Sequence, residues 1–180
     1  MSPNRRMRTN SAFACLLLGL ACSPPVAGPS AETTPVPADF KLSARYSPGF
    51  SDWKPWTTVV TADGKVSQDV QPSAYGPAGS TRKTFVLTTN DLQQLIAVAR
   101  TFDFAKLKTN YSYPVTDNPR LTLELTLNGS SNKVQVYAPH LLKENQDVKK
   151  GVKMDVARFL KLWNELLKKV PSPNPEQQAD

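Results

Sequence analysis

The chain has 180 residues, 39% hydrophobic and 21% charged, and its 22 Lys and Arg against 15 Asp and Glu leave a formal charge of +7. That length suits one domain of ordinary size, and the apolar share is too high for a wholly disordered chain. One His and two Cys exclude zinc sites built from several Cys or His ligands, and any Ser/His or Cys/His catalytic pair could rest only on His140.

Arg5, Arg6 and Arg8 precede an uncharged run from Ala12 to Ala21 that closes on Cys22. A basic segment, a short apolar segment and small residues at the end form a secretory signal. A spanning helix needs about 20 consecutive apolar residues, and no other stretch approaches that, so the chain reads as exported and not integral. Leu18-Gly19-Leu20-Ala21-Cys22 resembles the bacterial lipobox, with Gly19 where that motif most often has Leu. The resemblance implies that residues 1–21 are a lipoprotein signal peptide and that Cys22 becomes the acylated first residue, membrane-bound through its lipid. At about 0.8 kcal/mol per buried methylene, three acyl chains make attachment effectively permanent. Cys15 leaves with the signal. Residues 22–39 carry Pro24, Pro25, Pro29, Pro35 and Pro37 among small polar residues, a composition that reads as an extended tether. Ser23 stands where an Asp would resemble an inner-membrane retention signal, so the expected location is the outer membrane, facing the periplasm. Residues 171–180 read as a second polar, Pro-rich, disordered segment.

Residues 40–170 read as a single domain. Phe40, Leu42, Ala44 and Tyr46 alternate as one side of a strand. Residues 57–61 and 66–70 flank Asp63-Gly64, predicting a hairpin in which that dipeptide supplies two positive-φ positions. Residues 82–88 read as a further strand. Asn90 stands three residues before Gln93 as a predicted cap, and Leu92, Leu95, Ile96, Ala99 and Phe102 follow at helical spacing. Leu121, Leu123, Leu125 and Leu127 alternate strictly with polar residues, residues 128–132 turn the chain, and 133–137 complete a second hairpin. Val156, Phe159, Leu160, Trp163, Leu166, Leu167 and Val170 form the apolar stripe of a last helix. One-sided strands and two one-sided helices predict an α+β fold, an antiparallel sheet of five or six strands with both helices on one face.

Thr61-Ala62-Asp63-Gly64-Lys65-Val66, Phe102-Asp103-Phe104-Ala105-Lys106-Leu107, Tyr111, Val115-Thr116-Asp117-Asn118-Pro119, Leu121-Thr122-Leu123 and Asn128-Gly129 with Lys133-Val134 follow one another in a fixed order. In this order the chain resembles an uncharacterised family of secreted and lipid-anchored bacterial proteins, a domain of unknown function, over roughly Ala44 to Val170. The resemblance implies the fold and the location and no chemistry. Members often carry a Cys-containing loop before the first hairpin, whereas residues 47–56 here hold no Cys.

Three groups of residues are candidate binding surfaces. Tyr111, Tyr113, Thr116 and Asp117 form a polar, aromatic connection, where Asp117 is either a ligand-binding carboxylate or a turn residue before Pro119 that bonds its own backbone. Phe50, Trp53 and Trp56 gather beside Tyr46; Trp56 alternates into the hairpin as a core residue, and Trp53 is the ring expected to touch a ligand. Lys143, Lys149 and Lys150 lead a basic run through Lys153, Arg158, Lys161, Lys168 and Lys169 that suits anionic headgroups, cell-wall polymer or an acidic protein, or is a solvated helix face. No motif points to a cofactor, a metal or nucleic acid. The leading expectation is a non-catalytic, lipid-anchored envelope module for a protein or glycan. The alternatives are a hydrolase or transferase using Asp117 and His140 with Tyr111 or Tyr113 assisting, and a structural lipoprotein without a ligand.

Overall fold

A computed structural model describes residues 35–73 and 79–174 of the chain. The signal peptide, Cys22, residues 22–34 of the tether and residues 175–180 of the tail lie outside the described residues. Period-two alternation builds the sheet: β1 (Lys41–Ser47) buries Leu42, Ala44 and Tyr46 and turns Lys41, Ser43 and Arg45 the other way. β2 (Trp56–Thr61), β3 (Lys65–Val70) and β4 (Thr81–Val86) follow as an antiparallel meander. Next come α1 (Thr89–Thr101), a 3-10 turn at Phe104–Lys106, and β5 (Asn110–Ser112). The chain closes with β6 (Arg120–Leu127), β7 (Ser130–Tyr137), α2 (Pro139–Glu144) and α3 (Lys150–Lys169).

The sheet has seven strands in the order β4-β3-β2-β1-β6-β7-β5. It is mixed, because β5 lies parallel to β7 while every other pair is antiparallel. The α+β class agrees with the sequence; the five or six antiparallel strands and two helices become seven mixed strands and three helices. β5 is three residues long, too short to show a period, and its pairing exists only through the crossover from β5 to β7.

The inner face carries the core. Leu123 and Val134 are buried from the sheet, Leu92, Leu95, Ile96 and Ala99 from α1, and Val156, Phe159, Leu162, Trp163 and Leu166 from α3, all in one cluster. Each such side chain contributes about 1.5–3 kcal/mol on burial. Stacked and tilted rings run through the core from Trp53 to Tyr46 (6.1 Å), Trp56 (6.0 Å from Tyr46), Trp163 (5.3 Å) and Phe159 (6.2 Å).

Local details depart from the expected ones for identifiable reasons. The Asp63-Gly64 hairpin uses a three-residue loop, with Gly64 N donating to Thr61 O at 2.9 Å and only Gly64 at positive φ (81°), the type I turn with a bulge. The two-residue turn with both φ positive is instead Asn128-Gly129, at 52° and 74°. Helix α1 starts earlier than Asn90: Thr88 caps it, its hydroxyl accepting from Asp91 N at 3.2 Å while Asp91 Oδ2 accepts from Thr88 N at 3.2 Å. The bond from the Thr88 hydroxyl, and then Lys169 at 3.1 Å, hold the Asp91 carboxyl below its ordinary range.

Both ends of the domain reach further than their composition suggests. Val36 packs on the core, and the Asp39 carboxylate accepts from Asn128 N (3.1 Å) and Gly129 N (2.5 Å), fastening the incoming chain to the β6–β7 turn. Residues 171–174, expected in the disordered tail, lie on the sheet: Gln68 Nε2 donates to Pro171 O at 3.2 Å and to Thr58 Oγ1 at 3.2 Å. Asn174 pairs with both main-chain groups of Lys54, at 3.0 and 3.1 Å. These bonds satisfy Gln68 and Thr58, two polar side chains on the buried face that would otherwise be costly.

Candidate functional site

β1 separates two ends of the domain. Asp39 and the β6–β7 turn mark its start; its last residue, Ser47, is paired with Arg120 at the start of β6. Six steps along a strand place these ends roughly 20 Å apart. At the far end, loop 48–55 meets loop 113–119. The contact is close: a Cβ built on Gly49 would lie 2.1 Å from the Asp117 carbonyl oxygen and 2.7 Å from Asn118 N. Asn118 N donates to the Tyr137 hydroxyl at 3.2 Å, and Asn118 Nδ2 to Thr116 O at 2.7 Å.

The structure therefore brings together two of the three expected surfaces. Trp53 is half-buried, its ring tilted against Tyr46, while Phe50 on the same loop is 75% exposed. Trp56 is in the core. Tyr113 is half-buried and its hydroxyl accepts from Asn145 Nδ2. Thr116 and Asp117 are exposed, and Asp117 takes the left-handed conformation, φ 58°. Its carboxylate makes no hydrogen bond or ion pair among the described residues; the local side-chain bond expected of it belongs to Asn118.

The remaining candidates lie elsewhere. Tyr111 is buried from β5, and its hydroxyl accepts from Lys108 N and donates to Asp155 Oδ2, both at 2.9 Å, so it fastens α3 to the sheet edge. Burial first, then the neighbouring Asp155 carboxylate, push its ionisation up to about 12. Lys149 and Lys150 are exposed at the start of α3 and make no ion pair among the described residues. Further along the helix part of the basic run is neutralised: Arg158 by Asp155 at 3.5 Å, Lys168 by Glu165 at 3.1 Å, Lys169 by Asp91.

His140 is exposed in α2, and no hydrogen bond or ion pair joins it to Asp117. Among the described residues no three His, Cys, Asp or Glu side chains gather as metal ligands, and no helix is long and apolar enough to cross a membrane.

Two residues that the sequence reading passed over belong to this end. Arg45 and Arg120 project from adjacent strands onto the outer face, the side of the sheet that no helix covers. Arg45 faces Thr122 and Ser47 faces Arg120, so the two arginines are diagonal neighbours, about 7–8 Å apart at the backbone. Arg120 lies over the Tyr137 ring, 5.4 Å from its centroid. Arg45, Ser47, Phe50, Ser51 and Gln71 border a hollow of about 280 Å³ beneath loop 48–51. Arg45 was legible as the polar alternate of Ala44 and Tyr46; its meeting with Arg120 depends on the β1–β6 register.

No protein-family model matches the chain, and no curated protein matches it significantly. The functional reading therefore rests on the residues themselves.

Proposed function

We propose that this protein is a lipid-anchored bacterial envelope protein whose α+β domain is a non-catalytic binding module for a protein or glycan. The observation that carries the reading is the junction of loops 48–55 and 113–119 at the end of the sheet opposite to the point where the N-terminal chain is fastened by Asp39. A domain held through its N-terminus presents that end outward, and loops fixed on a rigid sheet are where recognition concentrates. The acyl group on Cys22 and the Pro-rich stretch after it supply the attachment, and Ser23 favours the outer membrane with the domain in the periplasm.

Two experiments test this. Fatty-acid labelling of cells is expected to mark the wild type and to vanish in Cys22→Ala; labelling that persists overturns acylation at that residue. A photo-crosslinker replacing Phe50 is expected to capture an envelope component, with capture reduced in a Trp53→Ala background and unchanged in Lys149→Ala/Lys150→Ala. No capture from position 50, or equal capture from position 154 on α3, overturns the placement of the site.

A further inference from the structure

We propose that the outer face around Arg45 and Arg120 binds an acidic glycan, a sugar polymer bearing carboxylate or phosphate groups, with Phe50 lying against a sugar ring. The inference deepens the binding-module reading and rests on it. Charge comes first. The acids on the strands of that face are engaged, Asp69 with Arg82 at 2.5 Å and Glu124 with Lys133 at 3.9 Å, and the carboxylate of Asp117, unpaired among the described residues, is on the adjoining loop rather than on the strands. Arg45 and Arg120 are exposed and make no ion pair among the described residues, so two guanidinium groups stand on one face, that of Arg120 over the Tyr137 ring.

The surroundings select the kind of anion. The strand pairing sets Thr57 and Thr122 on either side of Arg45, with Gln135 beyond Thr122, and Ser47 next to Arg120. This is a field of hydroxyl and amide groups, matched to a ligand that is itself rich in hydroxyls. Phe50 stands at the rim of the hollow that Arg45, Ser47 and Gln71 also border, an apolar ring beside polar donors, which is how an amphipathic sugar ring is held.

A peptide is disfavoured by topology. β1 is paired on both sides, with β2 and β6, and β6 with β1 and β7, so neither strand has free main-chain groups for an added strand.

Titration calorimetry on the full chain tests the inference with three probes: oligogalacturonate for carboxylates, phosphomannan for phosphates, and polyglutamate as a peptide of equal charge. Saturable binding of either glycan is expected, weakened at least tenfold in Arg45→Ala and in Arg120→Ala, several-fold in Phe50→Ala, and unchanged in Lys149→Ala/Lys150→Ala. Arg45→Lys is expected to restore part of the loss, keeping the charge without the fork. Which glycan binds distinguishes carboxylate from phosphate recognition. Failure of both glycans, polyglutamate binding as tightly as either, or indifference to both arginines overturns the proposal. Capture from position 50 in cells alongside failure of both glycans sinks the glycan assignment and leaves the binding module standing.

Discussion

Replacing Gly49 with Ala adds one methyl group at the joint between the two loops. The new Cβ would sit 2.1 Å from the Asp117 carbonyl oxygen, 2.3 Å from its carbon and 2.7 Å from Asn118 N, where ordinary contact begins near 3.4 Å. The obstacle is main chain, which cannot swing aside as a side chain would, so the loops must part by about 1.3 Å, the difference between 3.4 and 2.1 Å. Forcing such a shift costs about 1–3 kcal/mol. For a chain of this size each kcal/mol lowers the melting temperature by roughly 2–4 °C. Thermal unfolding followed by circular dichroism reads the cost, and amide shifts of Asp117 and Asn118 by NMR read the displacement. Gly151→Ala is the control: nothing lies within 4 Å of its Cβ and it sits in α3, so a gain of about 0.5 kcal/mol is expected. A Gly49→Ala protein that melts with the wild type and leaves the Asp117 amide unmoved would refute the packing of these loops and the site built on it.

Thr88→Ala removes the hydroxyl that accepts from Asp91 N and donates to Asp91 Oδ2, leaves the bond from the main-chain N of residue 88 to that carboxylate, and should cost about 1 kcal/mol, with faster hydrogen exchange confined to the first turn of that helix. Tyr111 stays neutral in the fold to about 12 but ionises near its ordinary 10 when unfolded, so its contribution is intact below pH 10 and declines as pH rises toward 12. Alkaline denaturation of the wild type should therefore be steeper than that of Tyr111→Phe, by up to about 3 kcal/mol over that window, and parallel curves would contradict the burial of the hydroxyl. Trp56→Ala, which opens a cavity among stacked rings, should cost about 3–5 kcal/mol in urea unfolding, while Phe50→Ala, 75% exposed, should lie within about 0.5 kcal/mol of the wild type; equal costs would reject the division between core ring and surface ring.

Residues with a strong local period were legible from the chain alone. Leu121, Leu123 and Leu125 announce their strand because burial on one face repeats every second residue, and Leu92, Leu95, Ile96 and Ala99 announce α1 because one helix face repeats every 3.6. Asn128-Gly129 and Asp63-Gly64 were both turns by composition. Which of them would take two positive φ values was decided by how many residues remained between the strand ends, two in one hairpin and three in the other.

What the sequence by itself determined is the class of fold and the alternating faces, since each depends on neighbours in the chain. The tertiary structure decided what depends on distant neighbours. β5 exists because β7 offers an edge to Asn110–Ser112, and residues 171–174 are ordered because Gln68 and Lys54 need partners. The candidate site is of the second kind: Gly49 and Asp117 are 68 positions apart, and Arg45 and Arg120 are 75, and only the pairing of β1 with β6 sets them side by side. No local period encodes that register; the requirement that both strands turn their apolar residues to one core does.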